Sequence, residues 1–233
     1  MAYRELERKV RAYIIEKDMI RRGEHIVLGL SGGADSVCLF RILLALSGEF
    51  DLTLHCVHVH HGLRGIEADD DFRFSALLCR QAGVSFRCFK CDVREEAKRR
   101  NLSEEEAGRV LRYQYFREAK SMDHADRIAV AHHLDDEAET VLMNLFRGSS
   151  LRGLAGIRPV RDDVIRPLHQ VTRKEIEAYL KEIGQDYCTD ATNHETVYTR
   201  NKIRLELLPF IRDQINPGAV RHIVTVADDA ARA

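Results

Sequence analysis

The sequence predicts an α/β fold: a parallel five-stranded sheet with helices on both faces, followed by C-terminal helices. Three observations carry this. Short, nearly continuous apolar runs recur, as in "HIVLGL" (25–30), and suit strands buried on both faces. Amphipathic stretches of helical period separate them, and such alternation builds parallel sheets from crossover units. Polar turns follow the first, second and fourth runs, "SGGADS", "HHGLRG" and "HHLDDE". In parallel sheets that edge, at the carboxyl ends of the strands, is where ligands bind.

Each element has its own signal. Residues 4–22 are amphipathic and are expected as an opening helix. After the strand at 25–30, residues 35–47 place Val37, Phe40, Leu43 and Leu44 on one helical face. "DLTLHCVHVH" (51–60) reads as the second strand, and residues 66–82, with Phe72, Leu77 and Leu78, as the next helix. "VSFRCFKCDV" (84–93) reads as the third strand. Ser103 stands three residues ahead of Glu106, a capping box that starts the helix "LSEEEAGRVLRYQYFREAK". "RIAVAH" (127–132) is the fourth strand, and "DDEAETVLMNLFRG" is a helix closing near Gly148. A short fifth strand is expected around Val164–Ile165. From Thr172 onward the pattern is helical: a threonine-capped helix ending at Gly184, the amphipathic "TRNKIRLELLPFI", and a last segment from Pro217 to Ala233.

The bulk numbers narrow the classes. A chain of 233 residues is long enough for one large core. Its net charge of -1 excludes a globally basic nucleic-acid binder but leaves room for a local patch. Residues 147–174 hold seven Lys/Arg (Arg147, Arg152, Arg158, Arg161, Arg166, Arg173, Lys174) against Asp162 and Asp163, a formal +5. No apolar run approaches the ~18 residues of a membrane span, and "MAYRELERKV" lacks a signal-peptide core. A cytoplasmic location is therefore expected, with no membrane partner. The six cysteines lie mostly in apolar stretches and read as small buried hydrophobes of a reducing compartment. Cys88-x-x-Cys91 lies on a strand, where positions three apart face opposite sides, so a metal or redox role is disfavoured.

The bend "SGGADS" lies between a buried strand and a helix. Such a helix start presents backbone N–H groups and a positive dipole end, both of which favour phosphate. Gly32 and Gly33 allow close backbone approach, and Ser31 and Ser36 add hydroxyls. Asp35 is out of place beside a phosphate unless it meets a magnesium ion or a cationic substrate. The plainer alternative is a tight turn with a capping side chain. The stretch is neither G-x-x-x-x-G-K-[ST] nor G-x-G-x-x-G. His60, His61, His132 and His133 at two strand ends raise a transition-metal or metal phosphohydrolase reading. Histidines at strand ends more often serve as hydrogen-bonding or nucleotide-contacting groups.

"SGGADS" resembles the PP-loop of the N-type ATP pyrophosphatases, which cleave ATP between its α- and β-phosphates and adenylate a carbonyl-type oxygen. "HVHHGLRG", "LSEEEAGRVLRYQYF", "AHHLDDEAETVLMNLFRGSSLRGLAGI", "IRPL" and "DATNHETVYTRNKIRLELLP" are together similar to the tRNA(Ile)-lysidine synthetase branch, from about residue 24 to about residue 212. The resemblance implies an adenine nucleotide alpha-hydrolase-like (Rossmann-like) catalytic domain over 1–212, with 213–233 leading toward a further domain. It implies ATP and Mg2+ as cofactors, and L-lysine and the tRNA(Ile) with a CAU anticodon as partners. The wobble cytidine would be adenylated at O2, and lysine would then displace AMP at C2. A homodimer is left open. Two rivals stand beside this reading: a tRNA 2-thiocytidine-type thiolase, and a non-catalytic nucleotide-binding module.

The same resemblance assigns roles. Leu30, Ser31, Gly32, Gly33, Ala34, Asp35 and Ser36, with His58 and His132, would form the nucleotide site, and Asp35 would bind magnesium or lysine. Asp136 and Glu139, three apart on one helical face, would hold the two lysine ammonium groups at the cavity mouth or help the ε-amine lose a proton. Ala138, Val141, Leu142 and Leu145 would face the core. The competing reading of the acids is compensation of the helix dipole. Arg112 would reach phosphate as a bidentate donor; surface pairing with Glu105 or Glu106 is the alternative. Arg200, Asn201 and Arg204 would contribute to the substrate site, with Arg200 and Arg204 on one face; a solvated basic face is the alternative.

Overall fold

The structure, a computed structural model, describes residues 4–61, 66–189 and 199–232, without the side chains of 66–68. Parts of two motif stretches, 62–65 in "HHGLRG" and 190–198 in "DATNHETVYTRNKIRLELLP", lie outside the described residues. The sheet runs β3 (Ser85–Lys90), β2 (Thr53–His60), β1 (His25–Gly29), β4 (Arg127–Ala129), β6 (Val164–Ile165), β5 (Val160–Arg161). The five expected parallel strands are present. A sixth, β5, is added antiparallel at the edge, with Val160 opposite Ile165. It is two residues long and follows Pro159, too short to leave a sequence period. The chain builds β1, β2 and β3 outward, then returns across β1 to β4. This places the topological switch between β1 and β4 and opens a crevice at their carboxyl ends.

Helices α2 (Ala34–Phe50), α3 (Ile66–Ala82), α5 (Glu104–Met122), α6 (Leu134–Phe146) and α8 (Arg173–Glu182) cover the sheet, and a single turn, α7 (Leu151–Leu154), follows α6. Ser103 Oγ accepts the Glu106 N–H at 3.2 Å and Thr172 Oγ1 accepts that of Glu175 at 3.3 Å, so both expected caps form. The opening helix is shorter than expected: α1 spans Glu5–Glu16. Asp18 takes φ +45°, which breaks the helix and lets Met19 and Ile20 fold into the core. An unforeseen helix, α4 (Val93–Arg100), follows β3. Its one apolar pair, Val93 and Ala97, packs on Ala107 and Leu111 of α5, and Asp92 caps it by accepting the Glu95 N–H at 3.0 Å. So polar a segment carries no visible apolar stripe. The fourth strand is cut to three residues, because Val130 and its successors already turn into the crevice.

Beyond α8 the described chain winds through α9 (Thr199–Lys202), a π-helical turn (Ile203–Leu207), α10 (Leu208–Phe210) and a second π-helical turn (Ile211–Ile215) to α11 (Ala219–Arg232). Ile203, Leu208 and Val224 pack on Leu134, Ala138 and Leu142 of α6. This layer presses residues 200–204 against the start of α6. Among the described residues no helix is long and apolar enough to cross a membrane.

One glycine is required by packing at the crevice floor. A Cβ on Gly29 would collide with the Phe116 ring of α5, which lies directly over the end of β1. Gly29→Ala is expected to cost about 1–3 kcal/mol through overpacking, read as a lowered midpoint in urea. An unchanged midpoint would contradict this close approach.

Candidate active site

A cavity of about 820 Å³ opens at the carboxyl ends of β1, β2 and β4. The 31–36 bend forms one wall with every residue but Gly32. The ends of β2 and β4, Arg112 and Tyr113 of α5, Glu139 of α6, Arg173 of α8 and Arg204 form the others. The bend holds its own shape. Gly32 takes φ +96°, the left-handed region that favours glycine, and its carbonyl accepts the Cys188 N–H at 2.9 Å. Ser36 Oγ accepts the Ser31 N–H at 3.2 Å and donates to the Gly33 carbonyl at 2.9 Å. One expected donor, the Ser31 N–H, is therefore used internally. The first-turn N–H groups of Ala34, Asp35 and Ser36 have no acceptor within their own helix, as at any helix start. Leu30 is buried, and its carbonyl accepts from His58 Nδ1 at 2.9 Å. That bond ties β2 to β1, and burial lowers the His58 pKa below its ordinary value.

Beside the bend runs a continuous chain of charges. Arg173 Nη1 donates to Asp35 Oδ1 at 2.7 Å. His133 Nε2 lies 3.6 Å from Asp35 and 3.5 Å from Asp136. Asp136 meets Arg200 at 3.2 Å and Arg204 at 2.9 Å. Glu139 meets Arg200 at 2.8 Å and Arg204 at 2.6 Å. The acids are thus not open mouth carboxylates: Asp136 is 9 % exposed and Glu139 1 % exposed, and each already holds two guanidinium groups. Asp136 also accepts the His133 N–H at 3.1 Å, so the helix-start reading of this acid holds beside any other role.

The two adjacent histidines are driven apart. Burial opposes the charge on His133, but Asp136 and Asp35 outweigh it and raise its pKa to about 9. Burial, reinforced by Arg166, Arg109 and Arg200, lowers His132 to about 3 despite Asp136. His133 is therefore a cation and His132 neutral at neutral pH. For Asp136, burial would raise the pKa, yet His133 with Arg200 and Arg204 holds it well below the usual carboxylate range.

A PP-loop domain family matches residues 2–211. The chain belongs to the PP-loop domain family. It is 43% identical over 219 residues to the tRNA(Ile)-lysidine synthase of Caldanaerobacter subterraneus subsp. tengcongensis, covering 94% of this chain and 47% of that one. It is 42% identical to that of Clostridioides difficile (94% and 48%) and 40% identical to that of Bacteroides thetaiotaomicron (96% and 51%). The chain spans about half the length of the curated relatives it matches. In fold it is similar to the U34-tRNA thiolase NcsA from Methanococcus maripaludis, with a TM-score of 0.81 at 20% identity over 98% of this chain and 79% of that one.

In this PP-loop domain the expected residues gather unevenly. The bend, Asp35, His58, Arg112, His132, Glu139 and Arg204 line one cavity. Asp136 and Arg200 stand just behind Glu139 and Arg204. Asn201 is half-buried beside Arg200 and does not line the cavity. Leu145, expected in the core, is 51 % exposed, because α6 outruns the helices that cover it. The basic stretch loses one member to the interior and one to ion pairing. Arg166 is buried, and Arg173 is paired with Asp35 and Glu177. The sequence counted Arg173 only within the basic stretch and His133 only among the strand-end histidines, and gave neither its partner Asp35. Arg173 sits in the first turn of a capped helix, and nothing local announces that it reaches 138 residues back to Asp35. Glu137, read only as one of an acidic run, is buried and accepts the Ile157 N–H at 2.6 Å.

Among the described residues no group of three His, Cys, Asp or Glu is arranged to hold a metal on its own. A magnesium ion here would find one protein carboxylate, Asp35, already held by Arg173 at 2.7 Å, and would need its other oxygen donors from a ligand.

Proposed function

We propose that this chain is the ATP-splitting part of a tRNA(Ile)-lysidine synthetase, joining L-lysine to C2 of the wobble cytidine of the tRNA(Ile) with a CAU anticodon. The observation that carries this reading is that one cavity joins the PP-loop bend to the Glu139–Arg204 pair. The likeness to synthases of that name supports it. ATP phosphates would lie against Ser31–Ser36 at the start of α2, with Arg112 as a bidentate donor. Magnesium, held by phosphate and Asp35, would neutralise the departing pyrophosphate. Cytidine O2 attacks the α-phosphorus and pyrophosphate leaves. The lysine ε-amine then attacks C2, and the C2–O2 bond breaks with AMP as leaving group. The ammonium form cannot attack, so it must first lose a proton. Glu139 is the proton acceptor proposed for that ammonium, and Asp136, held ionised by its cationic neighbours, would bind it through hydrogen bonds. Arg200 and Arg204 occupy the same carboxylates, so lysine must displace them, and the 199–204 segment is expected to move on lysine binding. Residues 1–212 would form the catalytic domain and 213–233 would lead toward a further domain, in the cytoplasm.

The thiolase rival calls for reactive thiolates. Burial pushes the Cys88 thiol up. It pushes Cys91 to about 11 and, with Asp71, Cys188 to about 12.

The test is transfer of labelled lysine to a tRNA(Ile) transcript with ATP and magnesium, wild type beside Asp136→Ala. ATP-dependent transfer by wild type, lost in the variant, is the expected result. Equal transfer by the variant would remove Asp136 from the site. AMP and pyrophosphate without lysine transfer would leave an adenylating enzyme of another kind. Nucleotide binding without turnover would favour the binding module.

A further inference from the structure

Arg166 is a buried cation at 4 % exposure whose side chain donates to three neutral groups. Its Nη1 donates to the Arg158 carbonyl at 2.7 Å and its Nη2 to Tyr113 Oη at 3.5 Å. Its Nε donates to His132 Nδ1 at 3.3 Å. Its backbone N–H is fixed as well, on the Pro159 carbonyl at 2.9 Å. A guanidinium has five N–H donors and no acceptor. The His132 nitrogen that receives this bond must therefore carry a lone pair, and the imidazole proton must sit on Nε2. His132 lines the cavity, while Arg166 lies behind it.

We propose that Arg166 is a positioning residue that locks His132 as a neutral Nε2–H donor, so that His132 gives a hydrogen bond to an oxygen in the cavity and never serves there as a base. Given the reading above, on which this role in the reaction rests, the oxygen is one on the nucleotide phosphate or O2 of the target cytidine. A neutral donor suits both, because it stabilises developing charge without bringing a proton that must later be removed. The charged groups facing His132 act in the same direction with one exception. Arg109 from α5, Arg200 from α9 and Arg166 disfavour a second proton, and Asp136 from α6 alone favours one. The sequence could not show this pairing. Arg166 lies within the basic stretch, where it reads as one more phosphate contact, and the fold turns it inward.

The test is a nitrogen–proton correlation of the histidine rings in the whole chain, from about pH 5 to about pH 8, with His132 assigned by loss of its signal in His132→Gln. The expected result in wild type is a single Nε2–H pattern across the range. An Nδ1–H pattern, or titration of His132 near the ordinary histidine value, overturns the proposal without any reference to enzyme activity. Arg166→Met should release His132 to mix tautomers and titrate, and should add an acid limb to the pH profile of lysine transfer. Arg166→Lys, which still offers a donor, should restore the wild-type pattern in part. An Arg166→Met protein with an unchanged ring pattern would also overturn the proposal. A locked Nε2–H form in a chain that transfers no lysine would leave Arg166 in place and count against the lysidine reading alone.

Discussion

Replacing Glu139 with alanine is expected to cost about 3–5 kcal/mol of folding stability, the largest effect of any single change at this site. Glu139 is buried to 1 % exposure and closes hydrogen bonds with Arg200 and Arg204 at 2.8 and 2.6 Å. Truncation leaves two guanidinium groups facing Asp136 alone, with an apolar gap where the carboxylate stood. The large cost comes from stranding cations, since a buried ion pair is itself only weakly stabilising against an apolar replacement. Glu139→Gln separates fold from chemistry. It keeps the volume and one acceptor oxygen, so stability should fall by less, while lysine transfer is expected to drop ~10²–10⁴-fold with the loss of the proton acceptor. Urea unfolding of both variants beside lysine transfer checks both halves. A folded Glu139→Gln protein with full transfer would show that the acid only braces α9 against α6.

Stability is also expected to fall on the alkaline side. His133 is held protonated among Asp35, Asp135 and Asp136, and its pKa is raised from 6.5 to about 9. A raised folded-state pKa contributes stability that is fully present below the unfolded value of 6.5 and is lost as pH rises through about 9. The shift corresponds to about 3 kcal/mol, or roughly 6–12 °C in Tm for a chain of this size. Asp136 has the opposite sign. Its depressed value contributes stability above the ordinary carboxylate pKa, lost as pH falls. Thermal unfolding from about pH 6 to about pH 10 should show this slope in wild type and a flatter one in His133→Gln. Parallel slopes would mean that His133 is neutral in the fold.

Much of the architecture was legible in the sequence because it rests on local, periodic signals. The apolar run 25–29 had to be buried on both faces, and the Ser103–Glu106 and Thr172–Glu175 boxes start their helices through bonds three residues long. The bend was legible for a similar reason, since Gly32 adopts a backbone conformation that few other residues tolerate. Strand β5 and helix α4 were not legible. Two residues carry no period, and a helix that buries only Val93 and Ala97 shows no stripe.

The chemistry of the site divides along the same line. By itself the sequence determined that a glycine-bearing bend, a pair of strand-end histidines and an acid-rich helix start would meet at one edge of a parallel sheet. Only the tertiary structure decided their states. It paired Asp136 and Glu139 with Arg200 and Arg204, placed Arg173 on Asp35, and turned Arg166 inward onto His132. It made His133 a cation and its neighbour neutral. The physical reason is that caps, periods and glycine turns are settled by neighbours in the chain. A side chain's charge, proton and partner depend on desolvation and on groups that the fold brings from 34 to 138 residues away as well as on near neighbours.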